Sequence, residues 1–356
     1  MSLRRPGTLL IRADAGEKIG SGHFMRCLAL AQAWQDAGGE VFHVGTALPP
    51  ALAARLADER IISTVLDAVP GSLTDATDTA ALTRKCGADW LVIDGYQFRA
   101  NYQRAFAGSG ARVLVNDDFG SIGEYVADAI LDQNLGAREN AYARRGATTQ
   151  LLLGPRFAML RREFARWRDW SREIPAEGRR VLVTLGGSDP DNATLQVIEA
   201  LRQVKVDGLE AVIVAGGGNP HREQLAGAVR AAGSGFRFLT DVNNLDELMA
   251  GADLAVAAGG STSWERALLG LPGLVVVLAE NQRGIAQALS AAECAIDLGW
   301  ARDLSIGKLA ASITAALRDG GWRARAAERS RRLVDGRGAE RVVETLTQTA
   351  CEVRCA

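Results

Sequence analysis

The chain has little of what a metal or redox centre is usually built from. It holds three histidines and five cysteines in 356 residues. Cys27, Cys86, Cys294, Cys351 and Cys355 are scattered, odd in number and without a CxxC pair. That argues against a disulfide framework and a zinc knuckle, and three histidines are few for a histidine-rich metal site. An excess of charge is also missing: 41 basic groups face 42 acidic ones, for a net charge of -1. Neither half is a basic arm, which disfavours general nucleic-acid binding. The longest apolar runs, such as Leu274 to Ala279, are strand-length, against roughly 20 residues for a helix that crosses a bilayer. Met1 to Pro6 is too short and polar for a secretory signal. The expectation is a soluble, cytoplasmic protein without metal or cofactor, without a nucleic-acid partner or membrane span, and a monomer or weak homo-oligomer.

What is present is an ordinary globular composition, 47% hydrophobic and 23% charged. Short apolar runs alternate with amphipathic stretches throughout. One series of strands is expected from Thr8–Ala13 to Gln150–Leu153, including Trp90–Asp94 and Val113–Asp117. A second runs from Arg180–Leu185 to Ala295–Leu298, including Leu254–Ala258 and Leu274–Leu278. Helix-like segments lie between them, among them Met25–Ala37, Thr262–Leu269 and Gly284–Ala291. This alternation predicts an α/β protein with parallel sheets covered by helices. The stretch Arg161–Arg180 is arginine-rich and reads as a helix followed by a linker. The expected domains are therefore 1–164 and 180–320, joined by a linker at 165–179 and followed by C-terminal helices over 321–356. Arg323, Arg325, Arg329, Arg331 and Arg332 read as a solvated helix face. Two open α/β domains form a cleft, and ligands in such sheets lie beyond the carboxyl ends of the strands.

Those strand ends carry glycine loops. The first strand runs into Gly16-Glu17-Lys18-Ile19-Gly20-Ser21-Gly22-His23. Gly20 and Gly22 allow a tight turn and a close backbone approach before a helix start. His23 stands at the mouth of this loop. It is either a proton-exchanging group or a helix-start residue bonded to backbone. In the second half, loops follow three strands: Gly186-Gly187-Ser188-Asp189, Gly216-Gly217-Gly218, and Gly259-Gly260-Ser261-Thr262-Ser263. Glycines followed by hydroxyls suit a phosphate, and equally ordinary turn and cap chemistry. Glu265, on the next helical turn, either complements the helix dipole or binds a ribose diol. Asp94, Asp117 and Asp118 end strands of the first half, as sugar contacts, histidine partners or turn caps.

The run GGSTSWERALLGLPGLVVVLAENQRGIAQAL resembles the nucleotide-binding segment of GT-B enzymes such as the peptidoglycan UDP-N-acetylglucosamine transferase family. By that resemblance Ser261, Thr262 and Ser263 hold diphosphate, Glu265 the ribose, and Asn281 with Gln282 the donor sugar. The ordered set IRADAGEKIGSGHFMRCLALA, LVIDGY, NDD at Asn116–Asp118, LGPRFAMLRREF and VLVTLGGSD is more specific. It resembles the UDP-2,4-diacetamido-2,4,6-trideoxy-β-L-altropyranose hydrolases of pseudaminic acid biosynthesis, a pattern shared by spore-coat polysaccharide proteins. The resemblance covers roughly residues 8–300 and implies two Rossmann-like domains. It makes His23 the base that activates water, in a pattern completed by Gly20, Gly22 and Arg26, and makes Arg161 a substrate contact; Asp94, Asp118 and Gly187 are expected substrate contacts from their strand-end positions. The implied reaction is inverting hydrolysis of a UDP-sugar to UDP and free sugar, with no metal.

The chief alternative is a GT-B glycosyltransferase with the same nucleotide site, acting in cell-surface polysaccharide synthesis. A non-hydrolysing 2-epimerase would need acids and histidines around C2 that three histidines hardly supply. A non-catalytic nucleotide-sugar sensor would have no use for His23 in its motif.

Overall fold

Apolar, β-branched runs of four to six residues become strands whose two faces are both covered. In the computed structural model, which describes residues 5–16, 19–187 and 189–352, the chain divides into two units. The first comprises Met1–Arg162 and Gly336–Ala356, the second Glu163–Asp335. Residues 1–4, Glu17, Lys18, Ser188 and Cys355, all noted in the sequence, lie outside the described residues.

The first unit runs β1 (Thr8–Ala13), α1 (Gly22–Asp36), β2 (Glu40–Gly45), α2 (Pro50–Asp58), β3 (Ile62–Val65), α3 (Leu73–Lys85), β4 (Trp90–Asp94), α4 (Ala100–Arg104), β5 (Arg112–Asn116), β6 (Ala129–Asp132) and β7 (Gln150–Leu153). The second unit continues with β8 (Arg180–Thr184), α5 (Ala193–Leu201), β9 (Glu210–Ala215), α6 (Arg222–Ala232), β10 (Phe236–Thr240), α7 (Leu245–Gly251) and β11 (Leu254–Ala258). It ends with α8 (Thr262–Leu268), β12 (Gly273–Val277), α9 (Glu280–Ala291), β13 (Ala295–Trp300), α10 (Ile306–Arg318) and α11 (Gly320–Leu333). The last helix, α12 (Gly338–Glu352), returns to the first unit.

Both sheets are parallel throughout. Their orders are β3-β2-β1-β4-β5-β6-β7 and β10-β9-β8-β11-β12-β13. The chain therefore reverses its direction of travel across each sheet once, between β1 and β4 and between β8 and β11. Loops after these adjacent strands diverge to opposite faces and leave a crevice at the carboxyl ends. The central strands are buried along their length, and alternate residues enter opposite cores, as a doubly covered sheet requires. Leu9 and Ile11 of β1, with Trp90 and Val92 of β4, join one core; Leu10, Leu91 and Ile93 join the other. Phe24 and Leu28 of α1 and Val342 and Leu346 of α12 fill the first of these cores. The Trp90 indole N–H donates to the carbonyl of Leu346 at 3.2 Å.

Several expectations are corrected. The stretch 161–180 contains no α-helix; a 3-10 turn covers Arg162–Trp167, and extended chain follows. Its side chains are used as ties. The Trp167 indole donates to Asp246 at 2.8 Å, and Arg172 donates to the carbonyls of Leu269 and Met249 at 3.0 and 2.7 Å. The basic group on α11 is not wholly a solvated face either. Arg323 is fully buried and donates to the carbonyl of Pro175, and Arg331 donates to those of Leu268 and Arg168. A guanidinium has five N–H donors in a fixed fork, so these arginines satisfy carbonyls at the end of α8 and along the irregular segment after Trp167. Among the described residues no helix is long and apolar enough to cross a membrane.

Candidate active site

In the first unit the chemistry gathers where β1 and β4 part. Gly16 and Gly20 pair back to back across the first loop, at 2.7 and 3.2 Å. Gly20 takes a left-handed φ of 74° there, which a side chain would disfavour. The turn feeds α1, whose second residue is His23. The adjacent strand β4 ends in Asp94. His23 Nδ1 lies 2.6 Å from Asp94 Oδ1. A carboxylate on one ring nitrogen takes the N–H there and leaves Nε2 with its lone pair. The His23 side chain is 11% exposed and Asp94 is fully buried, so the dyad has an open end and a closed one. The Tyr96 ring meets the imidazole edge-on at 4.9 Å between centroids.

Arg26, one helical turn on, faces the same carboxylate. Its Nε and one terminal nitrogen donate to the two oxygens of Asp94 at 2.6 and 2.7 Å. The other terminal nitrogen donates to Asp118 at 2.8 Å. Asn116 and the Cys27 thiol also donate to Asp94, at 3.1 and 3.3 Å. Asp118 further accepts from the Tyr96 hydroxyl and the Asn134 amide, both at 2.6 Å. Burial opposes ionisation of both acids, but Arg26 and His23 outweigh it and hold both carboxyls below the usual carboxylate range. Arg26, Asp94 and Asp118, expected as substrate contacts, are thus bonded to one another behind His23. The same structure pushes the Cys27 thiol up by burial and by the Asp94 charge.

Asp117 turns the other way. It accepts from Tyr125 at 2.5 Å and from Ser121, and burial raises its carboxyl. The adjacent Asp117–Asp118 pair is therefore divided between two networks. Arg161, also an expected contact, is buried at the end of the first unit. A third buried group ties strand ends together: Arg12 holds Asp75 and Asp14, and Asp14 accepts the backbone N–H of Thr46 at 2.8 Å. Tyr96, Asn134 and Asp14 were not picked out from sequence, and Asn116 only as part of the NDD motif. Each follows or ends a buried strand run, so the usable signal is a polar residue at the carboxyl end of a parallel strand.

In the second unit the three glycine loops differ. After β8, the Asp189 carboxylate accepts the first amides of α5, from Ala193 and Thr194, at 2.9 and 2.8 Å. A Cβ on Gly216 would lie 2.4 Å from the Gly187 carbonyl oxygen, so these two loops require glycine to pack. After β9, Gly217 donates to Asp241 at 2.6 Å. Both loops are closed by the protein's own carboxylates. After β11, Ser261 makes no side-chain capping bond to α8, and the buried Ser263 hydroxyl finds no hydrogen-bond partner among the described residues. Ser261 and Thr262 are half-buried, and Glu265 is buried on the first turn. Asn281 and Gln282, expected in a strand-end loop, lie on the first turn of α9, which starts at Glu280. Gln282 accepts from the Leu278 amide at 3.0 Å, and its carbonyl would meet a Cβ on Gly259 at 2.9 Å.

Residues 181–341 match the glycosyltransferase family 28 C-terminal domain. The spore coat polysaccharide biosynthesis protein SpsG of Bacillus subtilis (strain 168) is 28% identical over 236 residues, spanning 66% of this chain and 68% of the other. The crystal structure of MurG from Acinetobacter baumannii is similar with a TM-score of 0.66 at 16% identity, over 96% of this chain and 99% of that one. Anabaena Alr3699/HepE, solved with UDP and glucose, is similar with a TM-score of 0.62 at 16% identity, over the same shares. The two parallel-sheet, Rossmann-like units of this chain are those of the GT-B fold.

Proposed function

We propose that this chain is a UDP-sugar enzyme of polysaccharide biosynthesis that breaks the bond between the anomeric carbon and the UDP oxygen with inversion. The observation that carries the reading is the His23–Asp94 dyad, with Nδ1 engaged and Nε2 left as a base. An acceptor O–H gives its proton to Nε2 as its oxygen bonds to C1. The C1–O bond to UDP breaks, and UDP leaves with the bonding electrons. A base so placed contributes about 10²–10⁴-fold in rate. UDP leaves without a proton if its charge is stabilised by preorganised donors, so a second acid is not required, unlike ordinary glycosidases.

The nucleotide belongs to the second unit in this reading. Ser261, Thr262 and Ser263 take the diphosphate, Glu265 the ribose, and Asn281 with Gln282 the sugar. Support comes from the buried, unpartnered Ser263 hydroxyl after β11, beside two loops whose amides donate to carboxylates, and from the match to the family 28 domain. The Anabaena neighbour was solved with UDP and glucose. Arg161, Gly20, Gly22 and Gly187 remain proposed contacts or loop-shaping residues.

Transfer to a hydroxyl acceptor is the reading that the family 28 match and the SpsG likeness favour. Hydrolysis, with water as the acceptor and a UDP-linked 2,4-diacetamido-2,4,6-trideoxy sugar as donor, is favoured by the ordered motifs from GSGHFMR to VLVTLGGSD. Incubation with a panel of UDP-sugars, followed by NMR of UDP and of the sugar anomers, tests both. UDP and inverted free sugar without any acceptor means hydrolysis; UDP release only with a saccharide acceptor means transfer. Undiminished turnover by His23→Ala would overturn the shared step.

A further inference from the structure

Behind His23 the charges do not balance until the ring is protonated. Three groups touch it: Asp94 from the end of β4, Tyr96 just beyond, and Arg26 from α1; Cys27 of α1 and Asp118 beyond β5 lie behind them, bonded to Asp94 and to Arg26. Tyr96 and Cys27 are neutral hydrogen-bonding groups near pH 7. The charged set is then one guanidinium, Arg26, against two carboxylates, Asp94 and Asp118. Asp94 touches His23, and Asp118 reaches it through Arg26. Asp118 is pinned by Tyr96 and Asn134, and Asn134 also donates to Asp132 at 2.7 Å.

We propose that Asp118 is a positioning residue whose charge, relayed through Arg26, compensates the imidazolium that forms when His23 takes a proton. The inference rests on the proposed role of His23 as base and assigns the reason for a second carboxylate. One alone would be cancelled by Arg26, leaving the developing imidazolium uncompensated in a buried setting. With two, the cluster goes from one excess negative charge to neutrality as the proton moves from the acceptor oxygen to Nε2, while the Nδ1 proton stays on the ring and donates to Asp94. Arg26 also fixes the plane of Asp94 by its two-point contact.

The test is the imidazole titration of His23 by NMR in the whole protein, assigned by comparison with His23→Gln, together with the pH profile of UDP release. Asp118→Asn keeps shape and removes charge. Its ring titration, and the acid limb of its profile, move to lower pH, with a lower plateau. Arg26→Gln moves both to higher pH, and Arg26→Lys restores most of the wild-type position. Asn134→Ala, which removes a hydrogen bond from Asp118 but no charge, moves them little. Unchanged titration in Asp118→Asn, or a shift of the same sign in Asp118→Asn and Arg26→Gln, overturns the proposal. The NMR arm needs no substrate. Wild-type protein that turns over no UDP-sugar therefore counts against the proposed reaction, while the ring titration still decides the charge relay.

Discussion

His23, His43 and His221 sit in three different settings. His221 donates from Nε2 to the Pro190 carbonyl on the surface, and His43 is buried between Ser63 and the Ala13 carbonyl. His23 alone pairs with a carboxylate while staying partly open. Alanine at His23 is expected to reduce UDP release by 10²-fold or more and to leave UDP affinity within a factor of about two, measured by calorimetry beside turnover. Glu265→Ala should do the reverse. Loss of a bidentate acceptor is expected to weaken UDP about 10-fold or more, on the scale of a charged hydrogen bond. Equal UDP affinity in both proteins would sink the ribose assignment. His23 was legible in sequence because a glycine loop and a helix start announce it locally. Its partner was left open among Asp94, Asp117 and Asp118, since Asp94 lies 71 residues away and only β1–β4 pairing brings it there.

At the scale of elements, the strands were legible nearly to the residue, because each is a short, mostly apolar run bounded by turn residues, a local property. The segment 161–180 was not, because its arginines are helix formers in isolation and carbonyl ties in place. The glycine loops show the same limit: all three look alike in sequence, and only the positions of Asp189 and Asp241 separate them. The helix α12 packs on α1, which carries His23 and Arg26, through the fully buried Val342 and Leu346. Leu346→Ala is expected to cost about 2–5 kcal/mol, seen as an earlier urea transition with Trp90 fluorescence as reporter. A variant as stable as the wild type would mean that α12 does not hold α1.

For the whole molecule, acid should act first on the unit that carries His43. Burial lowers the His43 imidazole from 6.5 to about 4. As pH falls through that window the unfolded chain takes the proton before the folded one, so stability declines. The expected loss is about 2 kcal/mol between pH 7 and pH 5, measured by urea unfolding. His43→Gln should flatten this slope, and an unchanged slope would refute the assignment. Asp94 and Asp118, held below the usual carboxylate range, contribute stability above that range and lose it only at lower pH. The sequence by itself determined the α/β class, the strands and the glycine-loop candidates, because burial period, strand length and turn chemistry are properties of neighbouring residues. Only the tertiary structure decided which loops are closed, which acids support His23, and that the final helix completes the first core. Apart from the local Asp189 cap, those depend on groups far apart in the chain, brought within bonding distance by parallel strand order.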